Sequence, residues 1–144
     1  MKKFFLLYLL LINTNIAAED QAITQWVYNA LERAQANIDK GNYDAAERLY
    51  YDLANDSWGS KSYDHFVILR TFAYFLIEQN KNKEALKYLE LAVVKKDMLP
   101  YDMFELNFTL GQVYYLNGDR ENAKKALLQW ISIGEKNNLD IKPE

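Results

Sequence analysis

The 144-residue chain contains one histidine, His65, and no cysteine. A histidine can act as a general base or as a metal ligand, but either role needs partner side chains at fixed distances. His65 has no second histidine to work with and no H-E-x-x-H pattern around it. We therefore predict a surface or capping role for His65 near the start of a helix. The lack of cysteine excludes thiol catalysis and thiolate metal sites.

Carboxylates and glycines also form no pattern that is typical of an active site. Glu19 and Asp20 are adjacent in the sequence, whereas a general acid–base pair is held in two separate positions. The five glycines do not form a phosphate-binding loop. We predict no catalytic residue, no cofactor, no metal site and no small-molecule substrate, and hence that the protein is not an enzyme.

The composition is that of a small protein with one apolar core. Half of the residues are hydrophobic, 15% are aromatic, and the formal net charge is −3. Lys and Arg are not clustered, and the acidic balance argues against a nucleic-acid partner. Composition therefore favours one domain whose partner, if any, is not DNA or RNA.

The first 18 residues have the order of a secretory signal peptide. A basic start at residues 1–3 precedes a continuous apolar run at 4–12, and small residues end the segment at Ala17 and Ala18. The apolar run is far shorter than the ~20 residues of a membrane-spanning helix. We predict a signal peptide cleaved after Ala18 and a periplasmic or secreted mature protein. The alternative is an uncleaved N-terminal anchor.

After the signal, three stretches repeat one pattern of turn residue, small residue and larger apolar residue. The three sets are Gly41, Ala46 and Tyr50, then Asn80, Ala85 and Leu89, then Gly118, Ala123 and Leu127. A small residue lets a helix approach an antiparallel neighbour closely, while the larger side chain fills the space beside the contact. The three alanines are 39 and 38 residues apart. The pattern therefore predicts three helix–turn–helix units in tandem.

Apolar periodicity and turn residues place six helices within these units. The predicted helices cover residues 22–39, 43–55, 62–79, 83–94, 101–116 and 120–135. The corresponding units cover about 22–56, 62–97 and 101–136 of a helical domain at 19–136. A polar tail at 137–144 is expected to fray.

The third unit resembles a tetratricopeptide repeat (TPR), because Leu110-Gly111 is followed by Tyr114, Ala123 and Leu127 at the offsets of that family. The resemblance extends over roughly residues 22–136. It implies an all-α fold with three TPR-like helix–turn–helix repeats in a right-handed α-solenoid, preceded by the signal peptide.

The chain departs from the family pattern at several contact positions. Arg33-Ala34 and Phe72-Ala73 stand where Leu-Gly is usual, and Trp130 stands where a small residue normally closes the second helix. The repeat spacing also exceeds the usual ~34 residues, and the excess lies in the joints between units. These departures leave the three helix pairs in place.

The resemblance also implies a binding groove, because the first helix of each repeat lines the concave side of such arrays. The groove positions carried over by register are Tyr28, Leu31, Gln35, Ile38, Val67, Arg70, Tyr74, Ile77, Glu105, Phe108, Gln112 and Tyr115. Mixed aromatic, aliphatic and hydrogen-bonding side chains of this kind suit an extended peptide or a helix of another protein. For any one of them the alternative is packing between neighbouring repeats.

The last predicted helix suggests a second interface. Repeat arrays normally finish with a polar-faced capping helix, whereas this helix carries Leu128, Trp130 and Ile131. We expect these side chains to pack against the tail, a second copy of the chain or a partner. The alternative is that Ile131 and Ile133 pack back on the fifth predicted helix.

A closer resemblance concerns residues 31–35, the long joint before Tyr63, and Leu128-Gln129-Trp130. These features are similar to small exported bacterial TPR proteins that accompany TonB–ExbB–ExbD systems, which implies a periplasmic accessory to outer-membrane transport. The main hypothesis is thus an exported, non-enzymatic scaffold that binds another protein. The alternative is a structural subunit of an envelope assembly, of secretion or pilus type, or a homodimer formed through the last helix.

Overall fold

The computed structural model describes residues 22–56, 61–96 and 98–141, and within these ranges it contains helices and no strand. The helices are α1 (Gln25–Asp39), α2 (Tyr43–Asp56), α3 (Ser62–Glu78), α4 (Asn82–Val93), α5 (Pro100–Leu116) and α6 (Arg120–Asn137). Each begins and ends within three residues of a predicted helix. The predicted signal peptide at 1–18 lies outside the described residues. No helix in the described ranges has the length and hydropathy needed to cross a bilayer.

Each hairpin turns through one residue with a positive φ angle. Gly41 has φ 77°, Gly118 has φ 83°, and Asn80 occupies the same place with φ 59°. The same backbone hydrogen bond closes all three turns: the amides of Asn42, Lys81 and Asp119 donate to the carbonyls of Asn37, Leu76 and Tyr114, respectively. This six-to-one bond is the Schellman motif, in which a left-handed residue ends a helix and reverses the chain. The three turns are therefore equivalent.

Small side chains lie where the two helices of each hairpin meet. Ala46, Ala85 and Ala123 are all buried. Gly111 on α5 is equally tight, because a Cβ atom added to it would lie 2.7 Å from the side chain of Leu127 on α6. The predicted close approach of paired helices is confirmed.

The central helix, α3, carries most of the core. From Tyr63 to Leu69 every side chain is buried, so α3 is enclosed by its neighbours on nearly all sides. Aromatic rings join the hairpins: the ring of Tyr50 on α2 lies 5.6 Å from that of Phe72, which lies 4.4 Å from the ring of Tyr88 on α4. One continuous core therefore runs through the array.

Two buried carboxylates tie successive repeats together. Asp64 in the first turn of α3 accepts hydrogen bonds from the backbone amide and hydroxyl of Thr24, at 2.9 and 3.0 Å. Asp102 in the first turn of α5 accepts one from the Tyr63 hydroxyl and forms an ion pair with Arg70. Each acid thus reaches back to the first helix of the preceding hairpin, or to the residue just before that helix.

The last hairpin is covered by its own residues. The Trp130 side chain is 8% exposed, and its ring lies 5.4 Å from Phe104 and 4.9 Å from Phe108. Ile141 packs on Gly134, since a Cβ atom added there would lie 2.7 Å from it. The indole of Trp130 thus fills the end of the α5–α6 pair, which argues against an exposed interface at this position. The predicted polar tail likewise folds back at Ile141.

Candidate functional site

The single histidine is part of the packed structure. His65 is buried, and its Nδ1 atom lies 2.8 Å from the Lys95 ammonium nitrogen. Burial and then the nearby Lys95 charge lower the pKa of His65. The predicted surface position is wrong, because α3 is enclosed where we expected solvent. A hydrogen bond between His65 and the backbone of Ala54, in the last turn of α2, agrees with the predicted capping role. Within the described residues, no group of three or more His, Asp or Glu side chains is placed to hold a metal ion.

Two of the predicted groove residues belong to the core. Leu31 lies on the buried stripe of α1 with Val27, Ala30 and Ala34, at the i, i+3, i+4 and i+7 spacing of one helix face. Val67 is 1% exposed, because α3 is covered on nearly its whole circumference. The burial of both side chains favours the alternative of packing between neighbouring elements at these two positions.

Three further predicted groove residues are half-buried and support the packing. Ile38 and Ile77 lie against the core cluster. Phe108 packs its ring on Trp130, at a centroid distance of 4.9 Å. At these three positions, the structure favours the alternative given for each groove residue, which was packing between neighbouring repeats.

The predicted polar groove residues of α3, Arg70 and Tyr74, contact residues of α5 that were not assigned to the groove. Arg70 pairs with Asp102 and lies over the Phe66 ring at 5.1 Å from its centroid. The Tyr74 hydroxyl lies 3.4 Å from that of Thr109. Burial raises the pKa of Tyr74, and among the nearby charges that of Glu105 adds to the shift while that of Arg70 opposes it. These groups therefore join α3 to α5.

Four predicted groove residues remain accessible, and we call them the open face: Tyr28, Gln35, Gln112 and Tyr115. Tyr115 is 63% exposed, and Gln112 is also exposed. Tyr28 and Gln35 are half-exposed, and their side chains donate hydrogen bonds to Glu32 and Asp39, one turn further along α1. Each of these four side chains is accessible without disturbing the core.

Of the three residues predicted to form a second interface, two are not buried in the core. Leu128 is 56% exposed, whereas Ile131 is half-buried on the same helix. Self-association through α6 stays a prediction that now depends on Leu128 rather than on Trp130.

A cleft that sequence reasoning missed lies between α2 and α4. It has a volume of about 640 Å³. Its lining residues are Asp44, Glu47, Arg48, Tyr51, Phe72, Lys81, Glu84, Lys87 and Tyr88. Lys81 bridges the two sides of the cleft through Glu47, whose carboxylate oxygens lie 2.6 and 2.7 Å from its nitrogen. The sequence contained a hint that α2 and α4 present equivalent side chains here, because Arg48 and Lys87 each follow an aligned alanine by two residues.

Comparison with known proteins identifies the last hairpin. Residues 104–137, which include most of α5 and all of α6, match the tetratricopeptide repeat family. No curated protein and no solved structure matches the chain. The chain therefore contains a tetratricopeptide repeat, and its paired helices form a helical-repeat solenoid. Repeats of this class generally bind other proteins.

Proposed function

We propose that this protein is a non-catalytic scaffold that binds another polypeptide through the open face. The observation that carries the proposal is the exposure of Tyr115 on the matched repeat, where a large aromatic side chain stands in solvent at 63% exposure. Aromatic side chains contribute strongly to binding when a partner covers them. The exposed amide of Gln112, one turn earlier on α5, supplies hydrogen bonds beside this ring.

We further propose that the protein acts outside the cytoplasm after removal of residues 1–18. The basic start, short apolar run and small residues of that segment support export. The resemblance of residues 31–35 and of Leu128-Gln129-Trp130 to TonB-associated TPR proteins supports a role beside an outer-membrane transport system. Intact-mass measurement on fractionated cells tests export, and the expected mature chain begins at Glu19.

The binding proposal is tested with a double substitution, Tyr28→Ala with Tyr115→Ala. The partner is first recovered from an envelope extract with the wild-type protein, identified, purified, and then titrated by calorimetry. Loss of two accessible aromatic contacts is expected to raise the dissociation constant at least about tenfold. Both side chains lie outside the buried core, so the variant is expected to retain the helical circular dichroism of the wild type.

The matched control is Leu128→Ala, which removes an exposed apolar side chain from α6. It is expected to leave the affinity unchanged within about twofold. If Leu128→Ala abolishes binding while the tyrosine variant binds normally, the open face is excluded. The alternative role in an envelope assembly through α6 would then take its place. A purified partner that does not bind the wild-type protein directly would also contradict the proposal.

A further inference from the structure

The single histidine of the chain lies where three segments meet. His65, in the first turn of α3, is 5% exposed. It makes a hydrogen bond with the backbone of Ala54, in the last turn of α2. Its Nδ1 atom lies 2.8 Å from the ammonium nitrogen of Lys95, which belongs to the joint between α4 and α5. The imidazole therefore connects the first hairpin, the second hairpin and the joint that leads to the third.

The contact with Lys95 requires a neutral imidazole. An ammonium group has three donors and no acceptor, so Nδ1 of His65 must accept the hydrogen bond across the 2.8 Å contact. A neutral ring offers one nitrogen as an acceptor, whereas both nitrogens of an imidazolium carry a proton. Protonation of His65 would therefore replace the hydrogen bond by two positive charges at close range in a buried site. The contact and the protonated ring exclude each other.

The groups around His65 favour the neutral ring. Burial lowers the pKa of His65 most, and the charge of Lys95 lowers it further, whereas the hydrogen bond with Ala54 opposes the shift. The group that α2 contributes to this environment is thus an uncharged backbone group. On α3, the neighbouring carboxylate of Asp64 accepts hydrogen bonds from Thr24. The ring is therefore neutral at neutral pH and takes up a proton only below the usual pKa of 6.5.

We propose that His65 and Lys95 form a pH-sensitive clasp on the α4–α5 joint. While the imidazole is neutral, the clasp holds the joint against α2 and α3, and protonation of the imidazole releases Lys95 and loosens the joint. The Arg70–Asp102 ion pair is a separate contact that joins α3 to α5 directly. Acid is therefore expected to loosen the joint without separating the hairpins. The clasp does not depend on the binding role of the open face, and its test needs no partner.

The free energy of unfolding should change in the same direction. Because the pKa of His65 is lower in the folded protein than in the unfolded chain, the unfolded chain takes up the proton first as the pH falls. The stabilisation by the neutral imidazole is therefore present above pH 6.5. It is lost progressively as the pH falls below that value and through the folded-state pKa.

The test is an NMR titration of the purified, isotope-labelled protein from about pH 8 to about pH 5. The ring signals of His65 are expected to titrate with a midpoint below 6.5. A nuclear Overhauser effect between this ring and the Lys95 side chain should be present at the upper pH and disappear as the ring is protonated. Hydrogen exchange at residues 94–96, corrected for its intrinsic pH dependence, should be at least about threefold faster at the lower pH.

Substitution of Lys95 by methionine separates the clasp from general effects of acid. Lys95→Met removes the ammonium group, so the midpoint of the His65 titration is expected to rise. The joint should then exchange rapidly at both ends of the pH range. Lys96→Met is the matched control, because Lys96 is an exposed lysine of the same joint. It is expected to show the wild-type midpoint and the wild-type pH dependence of exchange.

Five results would overturn the proposal. They are a midpoint at or above 6.5, a nuclear Overhauser effect that persists on the protonated ring, and equal effects of Lys95→Met and Lys96→Met. The fourth is unchanged exchange at residues 94–96 after Lys95 has left the ring, which would show that the contact does not hold the joint. The fifth is an equal acceleration of exchange in α6, which would show that acid unfolds the whole array rather than opening a local clasp.

Discussion

At the scale of residues, buried carboxylates join the repeats. Asp64 is fully buried and Asp102 nearly so, and each is met by donors from the preceding repeat. A buried charge without a partner is costly, so these hydrogen bonds constrain how successive hairpins can sit on one another. Burial and the Asp102 charge raise the pKa of Tyr63 to about 12, which favours the protonated form that donates to Asp102.

Substitution of Arg70 by methionine is expected to destabilise the protein by about 3 kcal/mol, because Asp102 is left buried with only the Tyr63 hydroxyl as a partner. Urea unfolding followed by circular dichroism measures the change. The control Arg48→Met removes an exposed arginine of the same kind and is expected to change stability by less than about 0.5 kcal/mol.

A second substitution separates charge from packing. In the Arg70→Met background, Asp102→Leu removes the stranded carboxylate and is expected to recover part of the loss. If Arg70→Met proves as mild as Arg48→Met, the ion pair does not hold α5 to α3.

At the scale of elements, each hairpin depends on a small residue between its two helices. The positive-φ residue and its six-to-one hydrogen bond reverse the chain. The buried alanine five residues later then sets how near the helices lie. Turn and contact are local in sequence, so one short pattern specifies both.

Replacing Ala85 by leucine is expected to destabilise the protein by about 2 kcal/mol, because the added atoms overpack the contact between α3 and α4. Thermal and urea unfolding provide the measurement. Ala36→Leu is the matched control, since Ala36 is a helical alanine of α1 that faces solvent. It is expected to have an effect below about 0.5 kcal/mol. Equal effects of the two substitutions would show that α3 and α4 are not in close contact at Ala85.

At the scale of the whole molecule, the array must cover the end of its last hairpin. Each repeat buries its apolar surface against the next repeat, so the apolar surface of the final repeat must be covered by other residues. Here Trp130 covers Phe104 and Phe108, and Ile141 folds back over Gly134. The large indole at a position where the family has a small residue is explained by this capping role.

Truncation of Trp130 to alanine is expected to destabilise the protein by about 3 kcal/mol and to expose Phe104 and Phe108. Hydrogen exchange should show that backbone amides lose protection first in α5 and α6. Leu128→Ala, two residues away on the exposed side of α6, is expected to change stability by less than about 0.5 kcal/mol. A stable Trp130→Ala protein with altered sedimentation would instead support the original interface prediction.

The helices were predictable because their signals are local. Apolar periodicity and turn residues located every helix end within three residues. The groove was predictable only in part, since register says which residues share a position but not how far a helix is rotated about its axis. That rotation depends on packing, and it buries Leu31 and Val67 while leaving Gln112 and Tyr115 exposed.

By itself, the sequence determined the three hairpins, their turns and the small residues at their contacts, because these features depend on neighbours within a few residues along the chain. Only the tertiary structure decided that Asp102 meets Arg70, that Trp130 lies inside, and that Arg48 and Lys87 share one cleft. Such pairings join residues about 22 to 39 positions apart, and their geometry follows from how whole helices pack rather than from local backbone preference.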